Sequence, residues 1–118
     1  MGDIKLDLNQ FRGGTGTWWR HPLHPKYTYT DGMKYVAEQC GAYWFIDKIF
    51  ATQSEQAMKK QAFQVWKIQV LQDSQAVITV EDGNDNIIAT YPLDYTDFPA
   101  QGVSVWFTDN VLMLPAEY

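Results

Sequence analysis

One cysteine, Cys40, and two histidines, His21 and His24, are the only thiol and imidazole groups in this sequence of 118 residues. A lone thiol cannot close a disulfide within the chain, and Cys40 falls on an apolar stripe where it acts as a small buried hydrophobe. That is the pattern of a reducing compartment. Basic charge is short as well: nine Lys and Arg against fourteen Asp and Glu leave a net charge of −5, which opposes attraction to nucleic acid phosphates or anionic lipid. Direct nucleic acid binding is disfavoured. No apolar run reaches the length of a signal peptide or a membrane span, so a cytoplasmic protein without membrane contact is expected. Catalytic signatures are missing too: there is no Gly-x-Ser-x-Gly, no phosphate-cradling glycine loop, and no electropositive setting for Cys40. Neither an enzyme of familiar type nor a cofactor is indicated.

Aromatic residues, by contrast, are abundant. Five Trp, seven Tyr and six Phe exceed what a small core can enclose, although a single domain of residues 1–118 buries roughly two-thirds of its unfolded surface. Residues 30–52 carry the only long helical pattern. Met33, Val36, Ala37, Cys40 and Trp44 recur at helical spacing, with Lys34, Glu38 and Gln39 set away from them. Thr30 is the expected N-cap and Asp31 suits the positive end of the helix dipole. Gly41 marks either a kink or a break into two helices, after which Tyr43, Trp44, Phe45 and Ile46 are apolar all round. The helical region ends at residues 52–54 or runs on in polar form to 60.

Residues 1–29 read as an arm and loop. Ile4, Leu6 and Leu8 alternate, residues 13–25 form an irregular loop governed by Gly13, Gly14, Gly16, Pro22 and Pro25, and residues 27–29 make a brief strand. From residue 62 to 115 the period becomes two, giving strands near 63–71, 76–80, 87–91, 103–107 and 111–114. The first has apolar residues on both faces and is expected at the centre of the sheet. Turn residues at 81–86 make a strong hairpin signal. The expected fold is α+β, an antiparallel meander of four to five strands packed on one long or kinked helix.

Three groups of residues invite a functional reading. Trp18, Trp19, Arg20 and His21, beside flexible glycines, look like a binding surface, because Trp and Arg dominate recognition energetics. Asp47 lies four residues beyond Tyr43 and continues the face that the stripe buries, so it is expected to bond Arg20, His21 or a loop amide and tie the loop to the helix. His21 and His24 would need a third ligand such as Asp31, Cys40 or Asp47, and no spacing rule supplies one, so no metal site is expected. The segment 82–86 lacks the spacing of a calcium loop and is a turn.

Trp19-Arg20-His21-Pro22-Leu23, Tyr29-Thr30-Asp31-Gly32-Met33-Lys34-Tyr35, Gly41-Ala42-Tyr43-Trp44-Phe45-Ile46-Asp47 and Phe63-Gln64-Val65-Trp66 together resemble a family of short bacterial and mobile-element proteins classed only as a domain of unknown function. The later Tyr95-Thr96-Asp97-Phe98-Pro99 and Leu114-Pro115-Ala116-Glu117-Tyr118 agree with it. The resemblance implies no activity, cofactor or catalytic residue. Gly13 and Gly14 depart from the family's usual shorter loop.

The expectation is a non-enzymatic, acidic binding protein acting through protein–protein contacts. Its binding residues are Trp18, Trp19, Arg20, His21, Tyr43 and Asp47. A specialised form is a phage- or plasmid-encoded inhibitor of a host nucleic-acid-binding or defence system, presenting Glu81, Asp82, Asp85, Asp94 and Asp97 to a basic partner. The alternative is a small enzyme or ligand-binding domain in which His21, Asp31 and Asp47 converge beside Tyr43 on an open pocket.

Overall fold

The computed structural model describes residues 8–11, 13, 16–96 and 98–118. Thr30 opens helix α1, Asp31–Cys40, as its composition demands: its backbone is extended and its hydroxyl oxygen accepts the Met33 N–H at 3.3 Å. This satisfies one orphan donor of the first turn. Gly41 closes the helix in the left-handed region, φ 58 and ψ 38, with its N–H on the Ala37 carbonyl. A side chain there would be strained, so glycine sets the break.

The expected helix is therefore two. Helix α2, Tyr43–Ala51, begins after Ala42 with a new phase, burying Phe45, Ile46, Ile49 and Phe50. That phase change corrects two expectations: Trp44 is half-buried rather than central, and Asp47 points outward with Tyr43 instead of lying on the buried face. A 3₁₀ turn, Thr52–Ser54, leads to the short helix α3, Gln56–Lys59.

Among the described residues seven strands form one sheet, β1 (Trp18–Arg20), β2 (Thr28–Thr30), β3 (Phe63–Val70), β4 (Ala76–Glu81), β5 (Ile87–Leu93), β6 (Val103–Thr108) and β7 (Val111–Met113). Their order is β1-β2-β7-β6-β3-β4-β5. The sheet has seven strands where four to five are expected: β3 to β7 lie near the expected positions with β3 interior, β2 is the brief strand expected near 27–29, and Trp18–Arg20, expected in a loop, is an edge strand paired antiparallel with β2. The meander is also corrected. β6 returns to lie beside β3 instead of β5, so β3 to β6 make a Greek key. The reason lies in connection length: the short turns force hairpins, whereas residues 94–102 are long enough to cross the sheet end, anchored there by the Thr96 N–H on the Ser74 carbonyl at 2.7 Å. Nor is the sheet wholly antiparallel, for β2 pairs parallel to β7 with Tyr29 opposite Leu112. Pro92 is accommodated because β5 is an edge.

Alternation along β3, β4 and β6 turns Trp66, Ile68, Ile78, Val80, Val105 and Phe107 toward the helices, where all are buried. Phe45 meets Trp66 edge-on and Phe50 packs on Phe107. Each such side chain contributes roughly 1.5–3 kcal/mol by leaving water. The opposite face is only half covered, with Phe63 against Trp106 and Trp106 against Tyr118. Inside the core, the Gln53 and Gln64 amides bond each other in both directions, and the Trp66 indole N–H donates to Gln64. Among the described residues every buried side-chain polar atom has a partner.

Residues near the two ends of the chain also meet. The buried Glu117 carboxylate accepts the Thr30 hydroxyl at 2.5 Å, the Gly32 N–H at 3.1 Å and the Leu114 N–H at 3.0 Å. Gly32 makes room for it: a Cβ there would stand 2.7 Å from Leu114 Cδ1 and closer still to the carboxylate. Among the described residues no helix is long and apolar enough to cross a membrane. The expected arm through Ile4 and Leu6 lies outside the described residues.

Candidate functional site

Strand β1 is short, lies at the sheet edge and exposes all three of its residues. Because successive strand side chains point to opposite faces, Trp18 and Arg20 leave one side and Trp19 the other. Trp18, 58% exposed, borders a shallow groove with Val111, Met113 and Tyr118. Trp19, 36% exposed, is held from two directions. Its indole N–H donates to Asp31 Oδ1 at 2.9 Å, and Lys34 Nζ sits 4.3 Å from its ring centroid. Asp31 accepts the Gly16 N–H at 3.2 Å with its other oxygen, so the start of α1 fixes the approach to β1.

His21 is buried beside Phe50, and its two ring nitrogens are both engaged. Nδ1 accepts the Leu23 N–H at 3.0 Å, while Nε2 lies 2.5 Å from Asp47 Oδ1. A ring that accepts at Nδ1 carries its proton on Nε2, so His21 donates to Asp47 and has no lone pair left for a metal or a substrate proton. The pair ties the amino-terminal segment to α2. Tyr43, 40% exposed, meets Tyr29 edge-on with centroids 6.5 Å apart. Burial raises the Tyr29 phenol above its ordinary value, with Tyr43, Glu38 and Asp47 adding to the effect. Burial likewise raises Tyr43, helped by Glu38 and opposed by Lys34. Both rings stay neutral at pH 7.

Trp19, His21, Tyr43 and Asp47 are thus gathered where the β1–β2 edge meets the helices, whereas Trp18 and Arg20 project from the other side of the sheet. Asp31 and Asp47 serve separate partners. The acidic residues are divided as well. Glu81 pairs with Lys67 at 3.0 Å. Asp82 folds its carboxylate over the turn, accepting from the Asn84 and Asn86 amides and the Asn86 side chain, chiefly the last of which lowers its pKa. Asp85 is exposed on the same turn, but Asp94 follows the far end of β5, about 20 Å away at ~3.3 Å per residue. Asp97 lies outside the described residues. Among those described, no three His, Cys, Asp or Glu side chains gather to hold a metal ion.

A model of a family of unknown function, DUF6876, matches residues 2–118. The chain belongs to the DUF6876 family. No curated protein and no solved structure matches it. The DUF6876 chain holds two features that composition and spacing do not signal. One is Glu117, whose partners lie 85 and 87 residues away. The other is a cleft between α2, α3 and the β6–β7 turn, built from segments with no shared motif.

Proposed function

We propose that this protein is a non-enzymatic binding module of the cytoplasm that acts through protein contacts, with Trp18 and Trp19 at the centre of the contact. The observation that carries the reading is a pair of exposed tryptophans on an edge strand, one of them already fixed by Asp31 and Lys34. Large aromatic rings held in place before binding lose little freedom on contact, which is what a recognition anchor needs. Arg20 and Tyr43 extend the surface on its two sides. A net charge of −5 favours a basic partner. In its specialised form the protein is a phage- or plasmid-encoded inhibitor of a host nucleic-acid-binding or defence system, where Asp82, Asp85 and Asp94 take the place of phosphates.

The test is capture of host proteins by immobilised wild-type chain, Trp18→Ala and Trp19→Ala, with folding of each variant checked by circular dichroism. A basic partner retained by the wild type, lost by the folded variants and released as salt is raised supports the reading. Equal capture by all three chains, or none by the wild type, ends it.

A further inference from the structure

We propose that the cleft between α2, α3 and the β6–β7 turn is a binding site for a small anion, a phosphate or carboxylate group, held by Lys26 and Lys59. The cleft encloses about 620 Å³, within the roughly 300–1,000 Å³ of small-molecule sites. Its lining brings together Lys26 from the segment before β2 and Lys59 from α3, with His24 between aromatic rings. Only one carboxylate, Asp109, faces them. Two cations against one acid is the reverse of the balance over the whole chain.

Those cations are also uncompensated. The ion pairs among the described residues join His21 to Asp47, Lys34 to Glu38 and Lys67 to Glu81, so none uses Lys26 or Lys59. Lys26 rests above the Tyr27 ring, its ammonium 5.2 Å from the centroid, which places the charge without neutralising it. The floor is built of packed rings. Tyr27, Phe50 and Phe107 pack against one another with centroids 5.2 to 5.8 Å apart and form the floor. Asp109 and Asn110 close the β6–β7 turn at φ 52 and 64, a tight geometry that fixes the opposite wall. A preformed pocket spends little free energy on ordering itself around a ligand. Asp109 repels a second negative charge, so the ligand carries its charge at one end. Two lysines are too few for a nucleic acid backbone, whose affinity grows with the number of phosphates neutralised.

Calorimetric titration of the full chain at low salt with phenyl phosphate, and separately with benzoate, each charged at one end only, tests the site and tells its two chemistries apart. One of these anions is expected to saturate a single site with a Kd below about 1 mM. Lys26→Gln and Lys59→Gln should each weaken it by about tenfold or more, as loss of a charge-assisted contact does. Lys60→Gln, next in sequence but outside the lining, should leave it unchanged. No saturation by either anion, or an equal loss with Lys60→Gln, overturns the proposal. So does tighter binding of a single-stranded oligonucleotide. Trp18 and Trp19 are no part of this cleft, so its failure leaves the protein-contact reading standing and the reverse also holds.

Discussion

Replacing Glu117 by alanine removes the acceptor that serves the Thr30 hydroxyl and the Gly32 and Leu114 amides together. Glu117 is 5% exposed, so water cannot take the place of its carboxylate without opening the packing around Leu114. The Thr30 hydroxyl can turn elsewhere, but the two N–H groups are left unsatisfied at about 1–3 kcal/mol each. Loss of a negative charge from the start of α1 adds about 0.3–1 kcal/mol. With partial relaxation, Glu117→Ala is expected to cost about 3 kcal/mol, which at about 4 °C per kcal/mol lowers Tm by about 12 °C. Glu117→Gln keeps one acceptor oxygen but turns an NH₂ toward donors, and should cost about half as much. Urea unfolding at neutral pH, with the slope unchanged, measures both. A cost below about 0.5 kcal/mol for Glu117→Ala, the range of ordinary surface changes, would refute the reasoning. A Gln variant less stable than the Ala variant would refute it equally.

Gly32→Ala should destabilise by about 2 kcal/mol or more through the clash with Leu114 and Glu117, and denaturant midpoints will show it. His21→Ala, which leaves the Leu23 N–H unpartnered and opens a cavity beside Phe50, should cost about 2–3 kcal/mol. Asp47→Ala should cost only about 1 kcal/mol, because the Asp47 side chain is 61% exposed and solvent screens the pair. Thermal melts that reverse this order would remove the anchoring role of the pair. The raised phenols of Tyr29, Tyr43 and Tyr91 favour the neutral ring in the fold. Their contribution is complete below the ordinary value of 10.0 and is lost as pH rises through the higher folded values. Stability should therefore hold from neutral pH to about 10 and fall beyond it, together with a delayed rise in phenolate absorbance. A decline beginning well below that pH would contradict the assignment.

Much of the fold was legible because its signals are local. Thr30, Gly41 and the alternation of 63–71 each act through neighbours within a turn or a strand, and each does what its chemistry requires. The phase of α2 was hidden because a break at Gly41 need not preserve the helical count, so Trp44 and Asp47 exchanged faces with Phe45 and Ile46. Strand β1 escaped notice since three exposed residues after a glycine loop carry no alternation; only pairing with β2 makes them a strand. The Greek key depends on where residues 94–102 travel, which their composition does not say. At the candidate site, the His21–Asp47 contact was among the partners expected for Asp47, yet its exposure was not. Glu117 gave no sign because its partners are remote, and Lys26 and Lys59 acquire a shared purpose only once the chain has closed.

The pairing of β2 with β7, sealed by Glu117 at the head of α1, has a consequence for how the molecule is made. During synthesis the first two strands emerge from the ribosome long before Leu112 and Glu117 exist, and until then they have no neighbour to complete the sheet. Closing so wide a loop is entropically slow. The nascent chain thus waits, its early aromatic residues uncovered, until residues 111–117 leave the exit tunnel, and a chain that stops before them leaves β2 and the start of α1 without their partners.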